Sequence, residues 1–142
     1  MLNKARRPVR GFTLIELLVV IIILAILATV VLPRVLGRAD DARKAKAITD
    51  LTSIETGLKM YKLDTGVYPT TEQGLPALVT NVANDPKWGS PYLEKGLPND
   101  PWGHPYYYKF PSEHGADFDV TCAGPDGQPG TGDDINSWDL QK

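Results

Sequence analysis

The order of apolar and polar positions divides the chain into three zones. Residues 12–32 are dominated by Ile, Leu and Val on every side of a helix, with Glu16 as the one charged side chain. At about 1.5 Å of rise per residue, such a helix covers roughly the 30 Å hydrocarbon core of a bilayer. A helix apolar all round lies in a large core or in lipid, and the rest of this chain is too small to bury it. Beyond Pro33 the pattern narrows to a stripe. Ala39, Ala42, Ala45, Ile48, Leu51, Ile54, Leu58 and Tyr61 recur at three- and four-residue steps, opposite Arg43, Lys44, Lys46, Asp50, Lys59 and Lys62. Pro33 lacks an N–H and crowds the preceding turn, so a kink or break is expected there. Gly66 is placed to cap the helix, and Tyr68-Pro69 stops it. The pattern predicts one helix from residue 12 to about residue 64, kinked at Pro33.

Residues 65–105 read mainly as loop, punctuated by Pro69, Pro76, Pro86, Pro91, Pro98, Pro101 and Pro105. Within them a short helix is expected over Thr71–Thr80, with Thr71 as its cap. Tyr106–Phe110 and Phe118–Cys122 read as strands, with a third near Ser137–Leu140, giving a small antiparallel sheet. The expected class is α+β: a long N-terminal helix, half in membrane and half packed on a small sheet with long loops.

Composition adds direction. The 142 residues allow one globular domain, and the net charge is −2. A single cysteine, Cys122, excludes an internal disulfide framework and a Cys-based zinc cluster. Balanced charge supplies no Lys/Arg surplus for nucleic acid. The charges are nonetheless segregated. Lys4, Arg6, Arg7 and Arg10 crowd the first 11 residues without an acid, whereas residues 111–142 are acidic. By the positive-inside rule the head, residues 1–11, stays cytoplasmic and the domain 33–142 lies across the membrane. A conventional secretory signal fits poorly, because no small-x-small site follows the apolar run.

Three places invite chemistry. A carboxylate such as Glu16 costs about 2.5–3.5 kcal/mol in a membrane interior and calls for a partner. A cut between Gly11 and Phe12 would create that partner, a free α-amine on Phe12, on the same chain or on a staggered neighbour. Asp126, Asp133 and Asp134, set among glycines, suit either a solvated acidic turn or a loop folded around a hard cation. His104 and His114 lack a Cys or carboxylate at ligand spacing, and Ser112-Glu113-His114 lacks a nucleophile elbow, so an enzyme is not expected. The Trp residues and Tyr106–Tyr108 read as packing, and Cys122 as a buried strand residue.

The run Arg10-Gly11-Phe12-Thr13-Leu14-Ile15-Glu16 resembles the class III signal of type IV pilins and pseudopilins. That resemblance implies cleavage by a prepilin peptidase between Gly11 and Phe12, and methylation of the new Phe12 amine. It further implies subunit registry through Glu16, and Pro33 as the interrupting proline. Tyr61–Leu75 and Asp100–Tyr106 are similar to two blocks of the major pseudopilins of type II secretion. The lone Cys122 suits pseudopilins better than pilins, which usually carry a C-terminal cysteine pair.

The resemblance implies a pilin-like fold and a structural role. The subunit would polymerise from the inner membrane into a periplasmic pseudopilus that drives export of folded proteins through the outer membrane. Implied partners are further copies of the chain, minor pseudopilins, the prepilin peptidase and the inner-membrane secretion platform. One calcium would be held by the Asp126, Asp133 and Asp134 side chains, with backbone oxygens near Ala123 and Gln128. Ala123-Gly124-Pro125-Asp126 departs from the commoner Leu-Gly-Ala-Asp in that loop. Alternatives are a related type IV pilus-like filament, or a membrane-anchored calcium- or cargo-binding protein that never polymerises.

Overall fold

A computed structural model describes residues 11–140, apart from the side chains of residues 30–36. Its regular elements are a helix α1 (Leu14–Thr65) and strands β1 (Tyr107–Lys109), β2 (Asp119–Cys122) and β3 (Ile135–Asn136). Two units divide between Ala39 and Asp40, and α1 contributes to both.

In the first unit, Thr13 starts the helix. Its Oγ1 accepts the Glu16 N–H at 3.3 Å, and Thr13-x-x-Glu16 has the spacing of a capping box. Glu16 thus sits in the first turn, where the positive helix end favours an acid. The apolar side chains that follow are exposed, from Leu14 at 83% to Leu27 at 55%. Helical backbone continues through Pro33. The expected kink falls among residues 30–36, whose side chains lie outside the described residues. Among the described residues, no helix is long and apolar enough to cross a membrane. The expected span, 12–32, runs into the same stretch.

In the second unit one helix face is dry. Ala47, Leu51, Ile54, Leu58 and Tyr61 are buried, and Thr65 continues the stripe. The upper half of the predicted stripe holds, but its lower half is corrected. Ala39, Ala42, Ala45 and Ile48 are exposed, and Ala47 takes the inward position. Counting back from Leu51 by four gives Ala47, and the next steps give Lys44 and Asp40, so the apolar stripe stops there. Gly66 closes the helix as expected, its N–H donating to Lys62 O at 2.8 Å.

Tyr68, Leu75, Leu78, Tyr106, Phe118 and Val120 meet that face and complete the core. Proline-rich residues 66–105 are pinned to it by aromatic groups. Trp88 Nε1 donates to Ala77 O at 2.9 Å, Tyr92 Oη donates to Asp64 at 2.9 Å, and Tyr92 packs edge-on against Tyr61. The helix predicted over Thr71–Thr80 reduces to a 3₁₀ turn, Leu75–Leu78. Gly74 precedes it at φ +58°, a value that interrupts an α-helix, and Pro76 lacks the N–H.

The sheet is antiparallel in the order β1-β2-β3, with Tyr108 opposite Val120 and Cys122 opposite Ile135. Its first two strands lie where the pattern placed them. The third is corrected to Ile135–Asn136, and Ser137–Asp139 form a 3₁₀ turn. Ser137 explains the change. Its side chain is buried and its Oγ accepts the Val120 N–H at 3.0 Å, so a side chain takes the place of a strand backbone.

Candidate functional site

The N-terminal site is open. Phe12 is 81% exposed, and a side-chain atom added at Gly11 would touch nothing within 4 Å. Among the described residues, nothing crowds the Gly11–Phe12 bond. The residues preceding Gly11 lie outside the described residues.

The acidic loop hangs from the end of β2. Ala123 is fully buried beneath it. Gly124 lies at φ +61°, and a Cβ there would fall 2.6 Å from the Asp133 carbonyl oxygen. Only glycine lets the two arms of the loop pass so closely, which brings Asp126 beside Asp133. The Asp126 N–H donates to Asp133 Oδ2 at 3.4 Å, Gln128 N–H to Asp126 Oδ1 at 2.8 Å, and Gly130 N–H to Asp134 Oδ2 at 2.6 Å.

Thr131, not foreseen in the sequence, is the hub. Its hydroxyl lies 2.6 Å from Asp133 Oδ1, 3.1 Å from Gln128 O and 3.5 Å from Asp134 Oδ1. A hydroxyl carries one proton, so it satisfies one of these three acceptors. The remaining lone pairs face solvent, and their hard oxygens are of the kind calcium takes. Bonding to Thr131 holds the Asp133 carboxyl below its ordinary range, with the Asp126 N–H adding to it against a burial effect. Among the described residues, no three His, Cys, Asp or Glu side chains converge as a ready-made metal centre. Carbonyl and hydroxyl oxygens therefore have to complete any shell here.

Two histidines have carboxylate neighbours that the sequence reading denied them. His104 Nδ1 lies 3.7 Å from Asp100 Oδ2, four residues back, a spacing that was legible. His114 Nδ1 lies 2.9 Å from Asp119 Oδ2, and its ring stacks on Trp138 at 3.8 Å. Asp119 also accepts from Ser112 Oγ and Glu113 N–H. Burial works to raise the Asp119 carboxyl, but these partners outweigh it and leave the group below the usual Asp value. In this arrangement the Ser112 hydroxyl donates its hydrogen bond to the Asp119 carboxylate, and the His114 Nδ1 faces that same carboxylate rather than the serine, so these three residues lack the Ser–His contact of a catalytic triad. Cys122 is fully buried in β2, as expected.

Comparison with known proteins gives a consistent result. Residues 34–138 match the family described as "Type II secretion system (T2SS), protein G", and residues 6–32 match the prokaryotic N-terminal methylation motif. A type II secretion system core protein G of Vibrio cholerae is 48% identical over 146 residues, covering 97% of each chain. Its counterpart in Pectobacterium carotovorum is 47% identical over 136 residues, covering 94% of this chain and 86% of its own. Among solved structures, the major pseudopilin of the type 2 secretion system of enterohaemorrhagic Escherichia coli aligns with a TM-score of 0.64. It shares 42% identity and is covered over 94% of its length, against 74% of this chain.

Proposed function

Because the chain belongs to the type II secretion system protein G family, we propose that it is the structural subunit of a pseudopilus and polymerises from the inner membrane. The fold agrees, since it is the pilin-like α+β arrangement of a long helix and a small antiparallel sheet. The observation that carries the reading is the matched methylation motif, residues 6–32, continuous with the matched protein G region. In this reading the basic head is removed at Gly11, Phe12 becomes the methylated N-terminus, and residues 12–32 anchor the subunit in the membrane. Glu16 then meets the Phe12 amine of a neighbour and fixes registry. An unpaired acid in hydrocarbon favours association over the isolated subunit. Growth of the filament drives folded proteins through the outer membrane. Minor pseudopilins and the inner-membrane secretion platform are its further partners.

Calcium is the proposed ligand of the acidic loop. Asp126, Asp133 and Asp134 would hold it with backbone oxygens near Ala123 and Gln128, and the gathering of hard oxygens around Thr131 supports this. Bound there, the ion supplies charge neutralisation and no chemistry.

Intact mass of the membrane-extracted protein tests processing. Loss of residues 1–11 with one added methyl group is expected, and an intact Met1 start or cleavage beyond Leu32 overturns it. Glu16→Gln tests assembly. The variant should be processed and reach the membrane yet form no filament, and normal filaments from it would refute the registry role.

A further inference from the structure

Building on the calcium reading, we propose that His104 is a positioning residue for the acidic loop. Its imidazole fixes the Gly124 carbonyl and covers Gly127, setting the loop before any cation arrives.

Asp100, at the root of this contact, is 4% exposed. Its Oδ1 accepts the Trp102 N–H at 3.0 Å and the His104 N–H at 2.8 Å, and its own N–H donates to His104 O at 2.8 Å. A buried carboxylate thus clamps the turn that carries His104. From that fixed root the ring reaches across to Gly124, 20 residues later, where Nδ1 lies 3.1 Å from the carbonyl oxygen. A carbonyl only accepts, so Nδ1 carries the proton. The Gly127 N–H donates to the same oxygen at 3.3 Å. Both lone-pair directions of Gly124 O are then occupied by protein donors. That removes this carbonyl from the cation's possible ligands, leaving its neighbours near Ala123 and Gln128.

The same ring covers Gly127. A Cβ there would lie 2.8 Å from Nε2 and 2.9 Å from Cδ2 and Cε1. Gly127 stands between Asp126 and Gln128, two of the proposed ligands. The imidazole therefore grips the loop on either side of Asp126, just before Gln128. A loop held this way has less freedom to lose when an ion binds, which is how partners outside the ligand shell raise affinity. The sequence offered no sign of it, since nothing local links position 104 to position 124.

The test uses the full chain in detergent micelles, with His104→Ala, His104→Asn and Gly127→Ala. Amide hydrogen exchange is followed in chelator, and calcium binding by calorimetry. His104→Ala should speed exchange at Gly127, Gln128 and Gly130 about tenfold while leaving Val120 and Cys122 in β2 unchanged, and should weaken calcium binding about tenfold. Asparagine places a side-chain N–H where imidazole Nδ1 was but lacks the ring over Gly127, so His104→Asn should recover part of both. Gly127→Ala, whose methyl group displaces the ring, should loosen the same amides.

Loop exchange in His104→Ala equal to wild type overturns the proposal. So does acceleration that spreads equally to β2, or calcium affinity unchanged from wild type. If wild type itself gives no calcium heat, the calcium reading falls, while exchange in chelator still decides whether His104 holds the loop.

Discussion

Replacing Asp119 with alanine should cost substantial stability although the residue lies outside the helix-facing core. The side chain is 5% exposed and gathers Ser112 Oγ, the Glu113 N–H at 2.9 Å and His114 Nδ1 at 2.9 Å. Hydrogen bonds to a charged group contribute about 1.5–3 kcal/mol each when their partners stay dry. Here the partners lie nearer the surface and regain water, so the sum falls to about 2–3 kcal/mol. The loss spreads further, because His114 is also the platform on which Trp138 stacks, 6° from parallel. At roughly 4–8 °C per kcal/mol for a domain of this size, the melting temperature should drop by about 10–20 °C. Tryptophan fluorescence of the full chain in detergent reads both melting and loss of the stack.

The acid limb gives a second reading of the same group. Asp119 is held below its ordinary value of 3.8 in the fold. Its contribution is therefore complete above that ordinary value and disappears as pH falls through the lower folded value. Wild type should destabilise across that window, and Asp119→Ala should lose that part of the slope. A variant melting within about 2 °C of wild type, with the acid slope intact, would refute the account.

Two further substitutions probe the core and the loop. Leu58→Ala, at a fully buried position on the helix face, should cost about 2–5 kcal/mol in guanidinium unfolding with little change in slope. Gly124→Ala drives a methyl group to 2.6 Å from the Asp133 carbonyl, at a φ of +61° that L residues avoid. It should weaken calcium binding more than His104→Ala does, measured by the same calorimetry, and an unchanged affinity would mean the two loop arms part freely.

What the sequence disclosed was governed by range. The helix, its Gly66 cap and the first two strands follow from periodicity and turn residues, which are local. The stripe failed at Ile48, which is exposed while its neighbour Ala47 turns inward, and below Ala47, where alanines at helical spacing look apolar but stay exposed. The third strand shifted by two residues because Ser137 serves β2 with its side chain, an arrangement no alternating pattern encodes. The three aspartates were legible from spacing, but Thr131 was not, since one threonine in a glycine-rich loop carries no pattern. Thr13-x-x-Glu16 was legible and gives Glu16 a second, local role at the helix start.

Cys122 has a quieter consequence. Burial pushes its thiol up to about 11, with the Asp100 carboxylate pushing the same way. The thiol therefore stays protonated at neutral pH, and its sulfur is fully buried within β2. Oxidants and neighbouring subunits alike find nothing to attack. In the proposed fibre the buried sulfur leaves subunits to be held by physical contacts, so added reductant should leave the assembly unchanged.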